Sequence, residues 1–177
     1  TGTNTLGKIR DPLDYLLPTS QRSIRDWVPL AFETIKHNIG GGSYTAVDDE
    51  SNPSSTVGEY TVPVSGYYMI SAQVNIHSGN YINGTVALQR QPRESNSWET
   101  LCAYYSKMTP LDHAQFDGMP LHGVFYLNQG DKIRVAALNR SNELWAPVDR
   151  GGYFSDPPFV SENFYLTIYL LSAADEP

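Results

Sequence analysis

Gly58-Glu59-Tyr60-Thr61-Val62-Pro63-Val64-Ser65-Gly66-Tyr67-Tyr68-Met69-Ile70-Ser71-Ala72-Gln73-Val74-Asn75-Ile76 is the stretch that decides the fold class. From Tyr67 onward the residues alternate. Tyr68, Ile70, Ala72, Val74 and Ile76 fall on one face, and Tyr67, Met69, Ser71, Gln73 and Asn75 on the other. A period of two with one apolar set is the pattern of a β-strand that lays one face on a core. Ahead of it, Pro63 suits a strand edge because it lacks a ladder donor, and Gly66 permits a tight reversal without a Cβ clash.

The same grammar runs through the rest of the chain. From Val28 onward, short β-like runs are separated by turn clusters: Gly40-Gly41-Gly42, Asp48-Asp49-Glu50-Ser51-Asn52-Pro53, Asn128-Gln129-Gly130-Asp131 and Asp156-Pro157-Pro158. Many short strands at such spacing predict a sandwich. No stretch keeps apolar residues at helical spacing over three turns, so helix content is expected to be small. The last strand is unusual. Phe164, Leu166, Ile168 and Leu170 lie on one side, but Tyr165, Thr167, Tyr169 and Leu171 lie on the other, and neither side is written for water. A strand apolar on both faces is either central in a sheet covered on both sides or part of a subunit interface, and in a sandwich the second reading is the stronger.

Bulk composition narrows the function classes. The 177 residues correspond to about one domain, with 12 tyrosines and an aromatic fraction of 12%, a palette that suits β-structure. A formal net charge of −7 repels phosphate, so nucleic acid is not an expected partner. No apolar run reaches the length of a membrane helix, and no membrane insertion is expected. The single cysteine, Cys102, reads as a buried, inert thiol.

Three segments, in order, resemble the C1q-like branch of the C1q/tumour-necrosis-factor-like jelly rolls. Gly58 to Tyr68 is similar to the family's Gly-x-aromatic-Thr-x-Pro followed by Gly-x-Tyr. Leu127-Asn128-Gln129-Gly130-Asp131-Lys132-Ile133-Arg134-Val135 is similar to its Leu-x-x-Gly-Asp-x-Val-x-Leu turn. Leu166-Thr167-Ile168-Tyr169-Leu170-Leu171 is similar to its Phe-Ser-Gly-Phe-Leu-Leu ending, with Ile168 where the family usually has glycine and Ile70 where it usually has phenylalanine. The resemblance spans roughly Val28 to Ser172 and implies an all-β jelly-roll sandwich that assembles as a homotrimer, with the terminal strand near the threefold axis. Residues 28–177 are accordingly expected to form the domain. Residues 1–27, interrupted by Pro12 and Pro18, are expected to form an N-terminal arm or connector. No collagen Gly-x-y stalk precedes the domain in this sequence.

Catalytic chemistry finds no anchor in the spacing. His37, His77, His113 and His122 are dispersed. Asp112-His113 with Ser106 or Cys102, or a glycosidase pair drawn from Glu59, Glu99 and Glu162, can be assembled only by assumption. Asp48-Asp49-Glu50 with Asn52 offers oxygen ligands but not the spaced calcium-loop pattern, and reads as a solvated turn. No catalytic residue, metal ligand or cofactor is assigned. Some family members bind calcium at the trimer apex, but no motif fixes ligands here. Five aromatics, Tyr44, Trp98, Trp145, Tyr153 and Phe154, read as loop residues suited to stacking on sugars or protein hot spots, or to packing on their own sheet.

These readings converge on a non-enzymatic display or binding module, extracellular or on a virion surface. Its expected contact with itself runs through Tyr165, Tyr169 and Leu171. In the setting of a phage or other virion fibre or decoration, the arm would dock to a carrier such as a capsid or fibre protein, and the domain would face a host-surface glycan or protein. The rival settings are a secreted or bacterial cell-surface ligand for a protein or glycan receptor, and a carbohydrate-active enzyme on a jelly roll.

Overall fold

The computed structural model describes residues 3–9, 27–30, 32–38, 42–47, 57–78, 82–108, 115–139, 145–147 and 165–174. Within them the chain is all β: β1 (Thr3–Ile9), β2 (Val28–Leu30), β3 (Phe32–Asn38), β4 (Ser43–Val47), β5 (Val57–Thr61), β6 (Gly66–Ser78), β7 (Ile82–Gln91), β8 (Glu99–Met108), β9 (Gln115–Leu127), β10 (Lys132–Asn139), β11 (Trp145–Pro147) and β12 (Tyr165–Ala173). They form two antiparallel sheets. The first has the order β11-β6-β12-β1-β3, with β9 also paired to β6, and the second has the order β4-β5-β10-β7-β8, with β2 also paired to β10.

The alternation seen in the sequence builds the core between these sheets. Tyr68, Ile70, Ala72 and Val74 of β6, Met119 and Leu121 of β9, and Leu166 and Ile168 of β12 face Leu30, Tyr60, Val86, Leu88, Ile133, Val135 and Ala137 of the second sheet, all buried. Tyr68 keeps its hydroxyl satisfied by donating to the Val64 carbonyl at 2.7 Å, so the ring can be buried whole. Burial pushes its phenol up from the ordinary value, while the Val64 hydrogen bond pulls it down.

The three segments that resemble the C1q-like pattern meet at one corner. Val62 N–H donates to the Asp131 carbonyl at 2.9 Å, and Gly130 N–H donates to the Val62 carbonyl at 2.9 Å. Gln129 N–H donates to the Ser65 hydroxyl at 2.9 Å. Ala174 N–H, just past β12, donates to the Ser65 carbonyl at 2.8 Å. Gly130 has φ +87°, a left-handed conformation that costs other residues about 1–2 kcal/mol. Asp131 locks the turn: its carboxylate is 1% exposed and accepts from Asn128 N–H at 2.9 Å and Arg93 N–H at 3.1 Å. The Arg90 Nε lies 3.0 Å from Asp131 Oδ2 but makes no directional hydrogen bond, so the contact is Coulombic. The Gly-Asp motif is therefore an architectural lock.

Two expectations change. Thr3–Ile9, assigned by the sequence reading to the arm, is strand β1, inserted between β12 and β3 with Thr3 opposite Tyr169 and Leu6 opposite Leu166. Its length and its mix of Thr, Gly and Lys hid a strand whose partners are far away in the sequence, which is where β pairing overrides local pattern. Most of the remaining arm, residues 10–26, lies outside the described residues. Gly66 is needed for a different reason from a reversal: it pairs with Ala173, and a Cβ there would strike the Ser172 carbonyl oxygen.

Candidate functional site

Three long strands place their non-core side chains on one outward surface of the first sheet. β6 lies between β12 and β9, and the register sets the residues in rows: Tyr169, Met69 and Val124, then Thr167, Ser71 and His122, then Tyr165, Gln73 and Pro120. One step above the first row, Tyr67 pairs with Tyr126, their rings edge to face at 5.3 Å and 72°. Tyr67, Met69, Val124 and Tyr126 are between 43 and 56% exposed, a concentration of large apolar side chains at one end of the face. The rest of the face is polar but uncharged, with the Ser71 and Tyr165 hydroxyls 3.4 Å apart. Among the described side chains of this face there is no Asp, Glu, Lys or Arg. An apolar, charge-depleted patch with aromatics and Met has the composition of an interface core rather than of ordinary surface.

Of the residues expected at the interface, Tyr165 and Tyr169 are half-buried within the single chain and Leu171 is exposed. Leu171 is the extra residue of a bulge between Leu170 and Ser172, which breaks the alternation that had aligned it with the two tyrosines. Tyr67, Met69, Val124 and Tyr126 were missed as interface candidates. Gly123-Val124-Phe125-Tyr126-Leu127 carries the same two-sided apolar signal as β12 and could have been found by it.

Of the five aromatics expected to stack, Tyr44 and Trp98 are the two whose side chains are described, and they lie on opposite sides of the second sheet. Tyr44 lies in β4 opposite Tyr60, on the core side, and its hydroxyl accepts Phe32 N–H at 2.6 Å across the sandwich. Trp98 sits on the outer side of the second sheet over the Arg134 guanidinium, 3.9 Å from carbon to ring centroid. Arg134 Nε also donates to Gln89 Oε1 at 2.9 Å. Burial lowers the Arg134 guanidinium to about 10, with Glu59 pulling the other way, so it stays charged at neutral pH. Trp145 is in β11, its backbone opposite Ser78, and Tyr153 and Phe154 lie outside the described residues.

The groups considered for catalysis are likewise apart or outside view. Glu59 pairs with Lys132 at 2.7 Å, and Glu99 is on β8, three strand spacings away, or about 14 Å, beyond the roughly 5–9.5 Å of a glycosidase pair. Glu162, Asp112 and His113 lie outside the described residues, as does Asp48-Asp49-Glu50 with Asn52. Cys102 is half-buried; burial pushes its thiol up, while backbone hydrogen bonds from Leu88 and His122 pull it down. Among the described residues no three His, Cys, Asp or Glu come together as a metal site. No described helix is long and apolar enough to cross a membrane.

Comparison with solved structures settles the architecture. Murine APRIL at pH 8.0 superposes with a TM-score of 0.57 at 18% identity, over 96% of this chain and 98% of that one. Eiger TNF from S. frugiperda superposes with a TM-score of 0.59 at 14% identity, over 99% of this chain and 95% of that one. The fold is a C1q/TNF-like jelly roll. No family model matches the sequence, and no curated protein does. At this identity the likeness belongs to the jelly roll as an architecture.

Proposed function

We propose that this chain is a trimeric, non-enzymatic binding module acting outside the cell or on a particle surface. The observation that carries the reading is the face of β6, β9 and β12, uncharged among its described side chains, with four large apolar side chains, Tyr67, Met69, Val124 and Tyr126, open to water in the single chain. Covering each of these stabilises an assembly by up to about 1.5–3 kcal/mol, before the cost of association. The resemblance to C1q-like modules supplies the threefold arrangement. Three copies then present three identical sites, and weak individual contacts gain strength through avidity. Display on a virion or phage fibre, carried by a capsid or fibre protein, is the setting we favour for the C1q-like features. The likeness to APRIL and Eiger TNF favours a second setting, a secreted ligand that meets a protein or glycan receptor. The test of the shared reading is Tyr169→Glu. It is expected to turn the trimer into a folded monomer; a variant that stays trimeric would remove this face from the contact.

A further inference from the structure

Among the described side chains of the uncharged face there is one imidazole, that of His122. His122 ends the row Thr167, Ser71, His122, and it is exposed in the single chain. Its neighbours on β9 are Pro120 and Val124; β6 brings Met69, Ser71 and Gln73, and β12 brings Tyr165, Thr167 and Tyr169. None of these is a carboxylate that could hold an imidazolium, nor a cation that would already repel one. β8 lies along the other side of β9, where the Cys102 thiol accepts from the His122 backbone, and it carries Glu99 and Lys107 toward its two ends. We propose that His122 makes assembly of this chain pH-dependent, loosening the contact between copies as it becomes protonated. The proposal rests on the self-association reading above.

The physics follows from desolvation. A neutral imidazole is cheap to cover, whereas an imidazolium buried without a counter-charge is costly. Assembly therefore favours the neutral form, so association is fully present above the ordinary histidine range near about 6.5 and is lost as pH falls through it. Three copies make the response steep. Each trimer that dissociates takes up as many as three protons, so the dissociation constant rises by up to about a thousandfold per pH unit at its steepest.

The experiment is sedimentation equilibrium of the full chain at about pH 8 and about pH 5.5, with circular dichroism to confirm the fold at each pH. The wild type is compared with His122→Gln, and with His122→Asn as a second neutral replacement. The readout is the ratio of dissociation constants at the two pH values within each protein, so an effect of substitution common to both pH values cancels. The wild-type ratio is expected to be large and both variant ratios close to one. An unchanged wild-type assembly, or variants that dissociate as steeply as the wild type, would overturn the proposal. A wild-type chain that is folded but monomeric at the higher pH would overturn the self-association reading itself and the proposal with it.

Discussion

Removing the Asp131 side chain puts the architectural lock to the test. In Asp131→Ala, two backbone donors, Asn128 N–H and Arg93 N–H, lose a charged acceptor, and the Arg90 guanidinium loses its counter-charge. A hydrogen bond to a charged group contributes about 1.5–3 kcal/mol, and breaking a fully buried ion pair costs about 3–5 kcal/mol. The sum overstates the effect here. Asn128 and Arg93 lie at the surface, where water replaces part of what is lost, and the Arg90 side chain is 21% exposed. A loss of about 3–4 kcal/mol is expected for Ala, and about 1–2 kcal/mol for Asn, which keeps one acceptor oxygen. The assay is urea unfolding at one fixed protomer concentration, because assembly makes the midpoint depend on concentration. A loss below about 1 kcal/mol for Asp131→Ala would refute the claim that this carboxylate holds the corner.

Gly66→Ala drives a methyl into the Ser172 carbonyl and is expected to cost about 1–3 kcal/mol in the same assay, by forcing β6 and β12 apart. Deleting residues 1–9 removes β1 from between β12 and β3 and is expected to abolish cooperative unfolding; a truncated chain that unfolds cooperatively at the same midpoint would make β1 dispensable. Cys102 is expected to react slowly with a disulfide reagent at about pH 8 and rapidly once the chain is unfolded, because burial raises its thiol above the ordinary value. By the same linkage its contribution to stability is complete below the ordinary thiol value of 9.0 and is lost as pH rises through the higher folded one, which unfolding curves for wild type and Cys102→Ser on either side of that value would show.

How much was legible in the sequence depended on whether local pattern and partner agreed. Tyr67 to Val74 alternates strictly and lies buried and exposed as that alternation says, because one face of β6 meets the core along its described length. The two-sided character of β12 likewise appears as a core face of Leu166 and Ile168 and an outer face of Tyr165 and Tyr169. Strand β1 was not legible, since Thr3–Ile9 owes its conformation to β12 and β3 rather than to any apolar period of its own. The bulge at Leu171 was hidden for a related reason: nothing in Leu170-Leu171-Ser172 marks an extra residue, and only the register with Tyr68 and Tyr67 reveals it. Tyr44 and Trp98 read as loop aromatics because turn clusters flank them. Their roles, a hydrogen bond to β3 and a stack on Arg134, depend on residues 12 and 36 positions away in sequence (44 − 32 and 134 − 98).

The central claim is that the face of β6, β9 and β12 is covered by other copies of this chain. Sedimentation or light scattering of the wild-type protein at micromolar concentration and about pH 8 gives its mass in solution. A single species of three times 19.7 kDa is expected. A folded species of 19.7 kDa, with Tyr67, Met69, Val124 and Tyr126 left in water, would contradict it.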